Sequence, residues 1–104
     1  MSRIELYYDP ATGKNCANNV RTASGGHGTD DGWMQIWIAR CVAGSRPGVK
    51  CTLAANSLDS DYGNYKKYAG PVRVSASGRC IQMFAETSFM GKFTRINVNA
   101  VHCG

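Results

Sequence analysis

Residues 94–102, which read Thr-Arg-Ile-Asn-Val-Asn-Ala-Val-His, decide the fold class of this sequence. Their apolar and polar side chains lie on opposite sides of an extended chain: Ile96, Val98 and Ala100 against Arg95, Asn97 and Asn99. A period of two residues is typical of a β-strand that buries one face. The segment therefore predicts a strand with one face on the core and the other in solvent.

Residues 32–40 alternate in the same way, with Met34, Ile36 and Ile38 on one face and Trp33, Gln35 and Trp37 on the other. Five further segments have strand-like composition and are bounded by turn residues: 4–8, 16–22, 50–54, 71–76 and 79–85. About seven short strands without helical periodicity predict an all-β fold, a small antiparallel sandwich or barrel.

Length and composition limit the class of protein further. The chain has 104 residues, 43% of them hydrophobic, which suits one domain over positions 1–104 and excludes a disordered segment. Five cysteines with only 18% charged residues predict a small, secreted, disulfide-stabilised domain. No apolar run spans a membrane, and the first five residues do not resemble a signal peptide, so we expect a trimmed form of an exported protein.

The charge balance is basic. Twelve Lys and Arg against seven Asp and Glu give a net charge of +5, which favours anionic partners such as wall polymers, phospholipid or nucleic acid. The basic residues are scattered, and only Lys66 and Lys67 are adjacent. Specific nucleic-acid recognition is therefore not predicted.

The cysteines are Cys16, Cys41, Cys51, Cys80 and Cys103. None forms a C-x-x-C pair, so neither a metal site nor a cofactor is predicted. Cys41 and Cys51 stand at the two roots of a hairpin-like connection, where a disulfide between them fits. One thiol is left over, and we expect it to be Cys103, near the chain end, where it could pair with a preceding segment or link two chains.

Two groups of residues are candidates for binding. Trp33 and Trp37 lie about 13 Å apart on one strand face, where they could stack on sugars or contact a partner protein. The alternative is that both indoles pack in the core. The second group combines exposed phenol rings with basic side chains and suits glycan or polyanion contact, unless the tyrosines only cover a core edge; it comprises Tyr62, Tyr65, Lys66, Lys67, Tyr68 and Arg73.

Catalysis is not predicted, because the two histidines, His27 and His102, lie in a glycine-rich loop and beside the chain end. A small secreted ribonuclease is the best enzyme alternative. It would use the histidines, or one of them with Glu86, as acid and base, and a basic side chain from Arg79 or Lys92 on the phosphate.

Several phrases of the sequence resemble the spore-associated protein A group of small secreted actinobacterial proteins. They occur in the family's order over nearly the whole chain: Leu6-Tyr7-Tyr8, Gly13-Lys14-Asn15-Cys16, Asp61-Tyr62-Gly63-Asn64-Tyr65, Tyr68-Ala69-Gly70-Pro71-Val72-Arg73-Val74, Gly78-Arg79-Cys80 and Cys103-Gly104. The resemblance implies a location at spores or hyphal surfaces, and it supplies no catalytic residue.

The resemblance also implies a disulfide pattern. Members of the family have a further cysteine upstream of the first strand, so Cys103 would have lost its partner and Cys16 would pair with Cys80. Cys41 and Cys51 look like an addition to the family pattern and would pair with each other.

A weaker resemblance concerns residues 81–92, which are similar to the Greek-key signature of microbial βγ-crystallin-like domains. It implies a secreted protease inhibitor or an antimicrobial or antifungal effector as the alternative function. The prediction that we favour is a non-enzymatic secreted protein that binds a glycan, a wall polymer or a partner protein at the spore or cell surface.

Overall fold

The computed structural model describes residues 2–28, 32–76 and 78–103, and its regular elements are seven strands and one short 3-10 helix at Ala23–Gly25. The strands are β1 (Ser2–Asp9), β2 (Lys14–Arg21), β3 (Trp33–Arg40), β4 (Asp59–Asn64), β5 (Tyr68–Val74), β6 (Ile81–Phe89) and β7 (Lys92–Val101). They form two antiparallel sheets, in the orders β1-β2-β5 and β4-β3-β6-β7. The predicted all-β, antiparallel fold of about seven strands is confirmed.

The hydrophobic core lies between the two sheets. The alternation in β3 turns Met34, Ile36 and Ile38 inward, where all three are fully buried. They belong to one cluster with Ala17 and Val72 of the three-stranded sheet. Burial of this apolar surface is the main force that holds the sheets face to face.

Side chains tie the sheets together along one side of the sandwich, where β4 leads into β5. The Asp61 carboxylate accepts a hydrogen bond of 2.7 Å from the amide of Gly70, and Asp59 accepts one of 2.9 Å from the amide of Arg73. Both acceptors belong to the four-stranded sheet and both donors to the three-stranded sheet. These bonds to charged acceptors supplement the apolar packing between the sheets.

The fourth strand is not where the sequence predicts it. Residues 50–54 carry only an isolated bridge between Cys41 and Leu53, and the strand that pairs with β3 is β4. The 50–54 segment follows a disulfide-linked loop and lies beside the end of β3, where the amide of Ala54 donates to the carbonyl of Arg40. Its strand-like composition reflects partial burial there rather than membership of a sheet.

Of the two predicted disulfides, one is present in the structure and the other is not. Cys41 is bonded to Cys51, as their place at the base of the loop predicts, but Cys80 is bonded to Cys103, and Cys16 is a buried free thiol. The predicted Cys16–Cys80 bond and the assignment of Cys103 as the odd cysteine are therefore wrong for this structure. The register of β6 and β7 pairs Ile81 with Val101, so Cys80 and Cys103 emerge from neighbouring strands, whereas Cys16 lies in the other sheet.

Candidate functional site

The outer face of the four-stranded sheet carries most of the large aromatic side chains of that sheet. In β3, Trp33 and Trp37 point away from the core because they alternate with the buried residues. The strand register puts Phe84 beside Trp37 and Tyr62 beside Gln35, the residue between the two tryptophans. We call this surface the aromatic platform; it comprises Trp33, Trp37, Tyr62, Phe84 and Phe93 around the polar row Gln35, Glu86 and Arg95.

The aromatic rings of the platform contact each other across the strands. Trp33 and Tyr62 have ring centroids 5.5 Å apart at an interplanar angle of 36°, and Trp37 and Phe84 are stacked at 6.1 Å and 26°. Tyr62 is 59% exposed and both tryptophans are half-buried. Such cross-strand pairs fix the orientation of the rings while leaving part of each ring open to solvent.

Glu86 is the fixed centre of the polar row. One carboxylate oxygen, Oε1, accepts a hydrogen bond of 3.0 Å from the Trp33 indole Nε1, and the other, Oε2, accepts one of 2.7 Å from Arg95 Nε. The Glu86 side chain is 16% exposed, while that of Arg95 is 61% exposed. Both carboxylate oxygens are therefore occupied, and the group that this pair offers to a ligand is the guanidinium of Arg95.

A buried amide supports the platform from beneath. Asn19 of β2 is fully buried, and its Nδ2 lies within hydrogen-bonding distance of the carbonyls of Gln35 and Glu86, at 3.1 and 3.2 Å. It also lies 2.9 Å from Oγ1 of Thr87. Because these contacts cross from one sheet to the other, they hold the backbone beneath the polar row in place.

One end of the outer face is covered. Ala39 and Gln82 lie on the same face as the platform, yet both are buried. The Gln82 side chain accepts hydrogen bonds from the amides of Cys51 and Ala100 and donates one to Asn99 Oδ1. The chain between Cys41 and Cys51 thus forms a boundary at this end of the platform.

The structure divides the second group of predicted binding residues. Tyr62 joins the platform, but Tyr65 packs over Gly63 and donates a hydrogen bond of 2.7 Å to Asp61. This hydrogen bond, together with partial burial and the charge of Asp61, raises the pKa of Tyr65 above the usual 10.0. Lys66 and Lys67 lie in the connection to the other sheet, which carries the exposed Tyr68 and Arg73. The predicted cluster is thus not one surface, because the segment crosses between sheets.

The groups proposed for a ribonuclease are also separated. His27 follows β2 near Gly28, whose amide donates to the carbonyl of Lys66, while His102 follows β7 beside the disulfide. β2 ends next to Ser88 at one end of the sandwich, and β7 ends next to Ile81 at the other. The two imidazoles therefore do not form an acid–base pair.

The sequence analysis did not identify Phe84, Phe93 and Arg95 as site residues, and it considered Glu86 only as an acid or base of a ribonuclease. The alternation within β6 and β7 does indicate which face each residue occupies. Their position next to Trp33 and Trp37 depends on the pairing order β3-β6-β7, which no local pattern shows.

The fold and the platform together define a class: a small, disulfide-linked β-sandwich with an aromatic outer face. The amino-acid sequence is similar to that of Spore-associated protein A of Streptomyces coelicolor, with 32% identity over 79 residues, 76% of this chain and 41% of the relative. The match confirms the resemblance to the spore-associated protein A group, although the chain spans less than half of the relative's length.

Other comparisons add nothing to this assignment. No family model matches the chain, and no solved structure matches it significantly. Within the described ranges, no helix has the length and apolar character needed to cross a membrane.

Proposed function

We propose that the protein is a secreted, non-enzymatic binding protein of the spore or cell surface, and that it binds a glycan of that surface through the aromatic platform. The observation that carries the proposal is the arrangement of aromatic rings around an ordered polar row on an outer sheet face. Rings of this kind stack on the apolar faces of sugars, while the polar row supplies hydrogen bonds to hydroxyl groups.

The geometry favours an extended ligand over a compact one. Trp33 and Trp37 are four residues apart on one strand, which separates them by about 13 Å. The platform is a sheet face rather than an enclosed pocket, so a polymer can lie across it and contact both indoles. Side chains held by cross-strand contacts lose little conformational freedom on binding.

The proposed location has separate support. Two disulfides are typical of a protein that is exported to an oxidising compartment. The similar Streptomyces coelicolor protein is named for its association with spores. A basic net charge of +5 suits attraction to negatively charged cell surfaces.

The experiment is a binding assay with intact actinobacterial spores and with purified cell walls, comparing wild type with Trp33→Ala and Trp37→Ala. Each variant should bind about tenfold more weakly, because each removes one stacking surface. Thermal unfolding of each variant verifies that the fold is retained.

Exposed tyrosines of the other sheet provide matched controls. Tyr7→Ala and Tyr68→Ala remove rings that are 44% and 50% exposed outside the platform, and they should leave binding unchanged. The proposal is wrong if folded tryptophan variants bind as wild type does, or if Tyr68→Ala weakens binding as much as they do.

A further inference from the structure

We propose that the ligand of the aromatic platform is an anionic polysaccharide, and that the loop of residues 42–50 recognises its negative charges. The inference rests on the proposed function, since it names the class of glycan that the platform binds. It adds a second part to the site, which lies outside the platform itself.

The loop lies directly beside the platform. The amide of Gly48 donates to the carbonyl of Ala100 in β7 at 3.1 Å, and the amide of Cys51 donates to Oε1 of Gln82 in β6 at 3.3 Å. Gln82 precedes Phe84 by two residues on the same face, a separation of about 7 Å along the strand. A polymer that runs along β3 from Trp33 past Trp37 therefore approaches this loop.

The loop is fixed in shape by several independent constraints. The Cys41–Cys51 disulfide closes it, and the amide of Val42 donates to the carbonyl of Thr52 at 3.0 Å. At its tip, the amide of Val49 donates to the carbonyl of Arg46 across Pro47 and Gly48, and Gly48 has the positive φ of 79° that a type II turn requires. A loop held in this way binds without a large ordering cost.

The side chains on the loop are basic and exposed. Arg46 and Lys50 are both exposed, and the sequence from residue 41 to residue 58 contains no Asp or Glu. Arg95 on the platform is ion-paired with Glu86, so this pair adds no net charge. The net positive charge beside the aromatic rings therefore comes from Arg46 and Lys50, and it attracts carboxylate or phosphate groups.

The outer face of the other sheet mixes both signs of charge more closely. Its first strand places Arg3 beside Glu5 in an exposed ion pair of 3.0 Å, and Asp9 lies opposite Lys14 in the next strand.

The two parts of the site restrict the chemistry of the ligand. A neutral glycan would satisfy the rings and leave the basic loop without a role, and a polyanion without sugars would do the reverse. A polysaccharide with carboxylate or phosphate groups along its chain satisfies both.

Isothermal titration tests the inference with four probes: hydroxyethyl cellulose, polygalacturonate, glycerol-phosphate teichoic acid carrying sugars, and polyphosphate. Wild type should bind one or both of the charged polysaccharides more tightly than the other two probes, and added salt should reduce the difference. The two charged polysaccharides distinguish carboxylate from phosphate as the recognised group.

The decisive variant is Arg46→Gln/Lys50→Gln, and the matched control is Lys67→Gln/Arg73→Gln, which removes the same two charges from the other side of the molecule. The loop variant should lose about threefold to tenfold in affinity for the anionic polysaccharide, as expected for exposed ion pairs, with no change for hydroxyethyl cellulose. The control variant should bind as wild type does.

Three outcomes overturn the inference: equal binding of neutral and charged polysaccharides, equal effects of the loop and control variants, or polyphosphate binding as tightly as the better bound of the two charged polysaccharides. In the first two, loss of binding in Trp37→Ala would leave the proposed function standing. If none of these polysaccharides binds and folded Trp33→Ala and Trp37→Ala bind spores as wild type does, the proposed function fails as well.

Discussion

The two ends of the sandwich are closed by different chemistry. At one end, Cys41–Cys51 and Cys80–Cys103 link the loops covalently next to β3, β6 and β7. At the other end, the buried guanidinium of Arg21 donates hydrogen bonds to backbone carbonyls at the ends of several segments: Tyr65, Gly25, Ser88 and Gly32, at 3.1, 3.0, 2.7 and 3.0 Å.

The difference shows how a small core can be supplemented. A disulfide acts mainly by restricting the unfolded chain, whereas the Arg21 hydrogen bonds exist only in the folded state. The disulfide end should therefore respond to reductant, and the Arg21 end should respond to substitution of Arg21 and of Tyr65, whose carbonyl accepts one of its hydrogen bonds. The following experiments separate the two ends, from the largest expected effect to the smallest.

Removal of both disulfides should have the largest effect. The variant with Cys41, Cys51, Cys80 and Cys103 all changed to Ala should lose about 4 to 8 kcal/mol of unfolding free energy, at about 2 to 4 kcal/mol for each bridge. Urea unfolding of wild type and variant measures the loss. Dithiothreitol should lower the stability of wild type by a similar amount and leave the variant unaffected; a variant as stable as wild type would show that this end does not depend on its bridges.

Arg21→Met should destabilise the opposite end by about 3 kcal/mol or more, because it leaves four buried or half-buried carbonyls without their charged donor. The measurement is urea unfolding under oxidising conditions, which keeps the disulfide end intact. Arg40→Met is the control, since Arg40 is only half-buried and its guanidinium donates a hydrogen bond to the exposed carbonyl of Ser75. Equal losses in the two variants would contradict the assigned role of Arg21.

Tyr65→Phe should cost about 1 kcal/mol near neutral pH, since it removes the hydrogen bond to Asp61. The raised pKa of Tyr65 means that the folded state holds the phenol proton more tightly than the unfolded state does. Its stabilising contribution is therefore full below about pH 10 and is lost as the pH rises through the folded-state pKa.

Unfolding free energies measured from pH 8 to pH 12 in wild type and Tyr65→Phe test this pH dependence. The difference between the two proteins should shrink as the pH rises. A constant difference would mean that the hydrogen bond to Asp61 does not depend on the phenol proton. Tyr7→Phe, which changes an exposed ring at a distance from Asp61, should show no such trend.

Cys16→Ala should have the smallest effect, below about 1.5 kcal/mol, since it removes one small buried group and no disulfide. Urea unfolding checks the magnitude, and mass spectrometry after alkylation under denaturing conditions should find one modified cysteine in wild type and none in the variant. Modification at Cys103 instead of Cys16 would contradict the disulfide pairing described above.

The sequence predicts the strands well where one face is buried and poorly where it is not. β3 and β7 follow from their alternation, but β4 contains Asp59, Asp61 and Gly63 on the face toward the other sheet, so it lacks an apolar pattern. Its position depends on the hydrogen bonds from those carboxylates to β5, which join residues of two sheets. Local propensity carries no information about such partners.

The disulfides and the site show the same limit. Cys41 and Cys51 are separated by ten positions in the sequence, a short loop that can be assessed from local sequence. The Cys80–Cys103 bond instead depends on the register of β6 and β7 and on a bulge near their ends. Likewise, Trp33 and Trp37 can be assigned to one face from sequence, but their neighbours Phe84 and Glu86 come from another strand. Cross-strand proximity is a property of topology.

The bonds from Asp59 and Asp61 also affect how this protein meets other chains. Exposed strand edges are templates on which foreign strands can assemble into larger sheets. The amides of Gly70 and Arg73 on β5 already have carboxylate acceptors, so this edge offers few donors to an incoming strand. Self-association by strand addition is thereby disfavoured along the β5 edge.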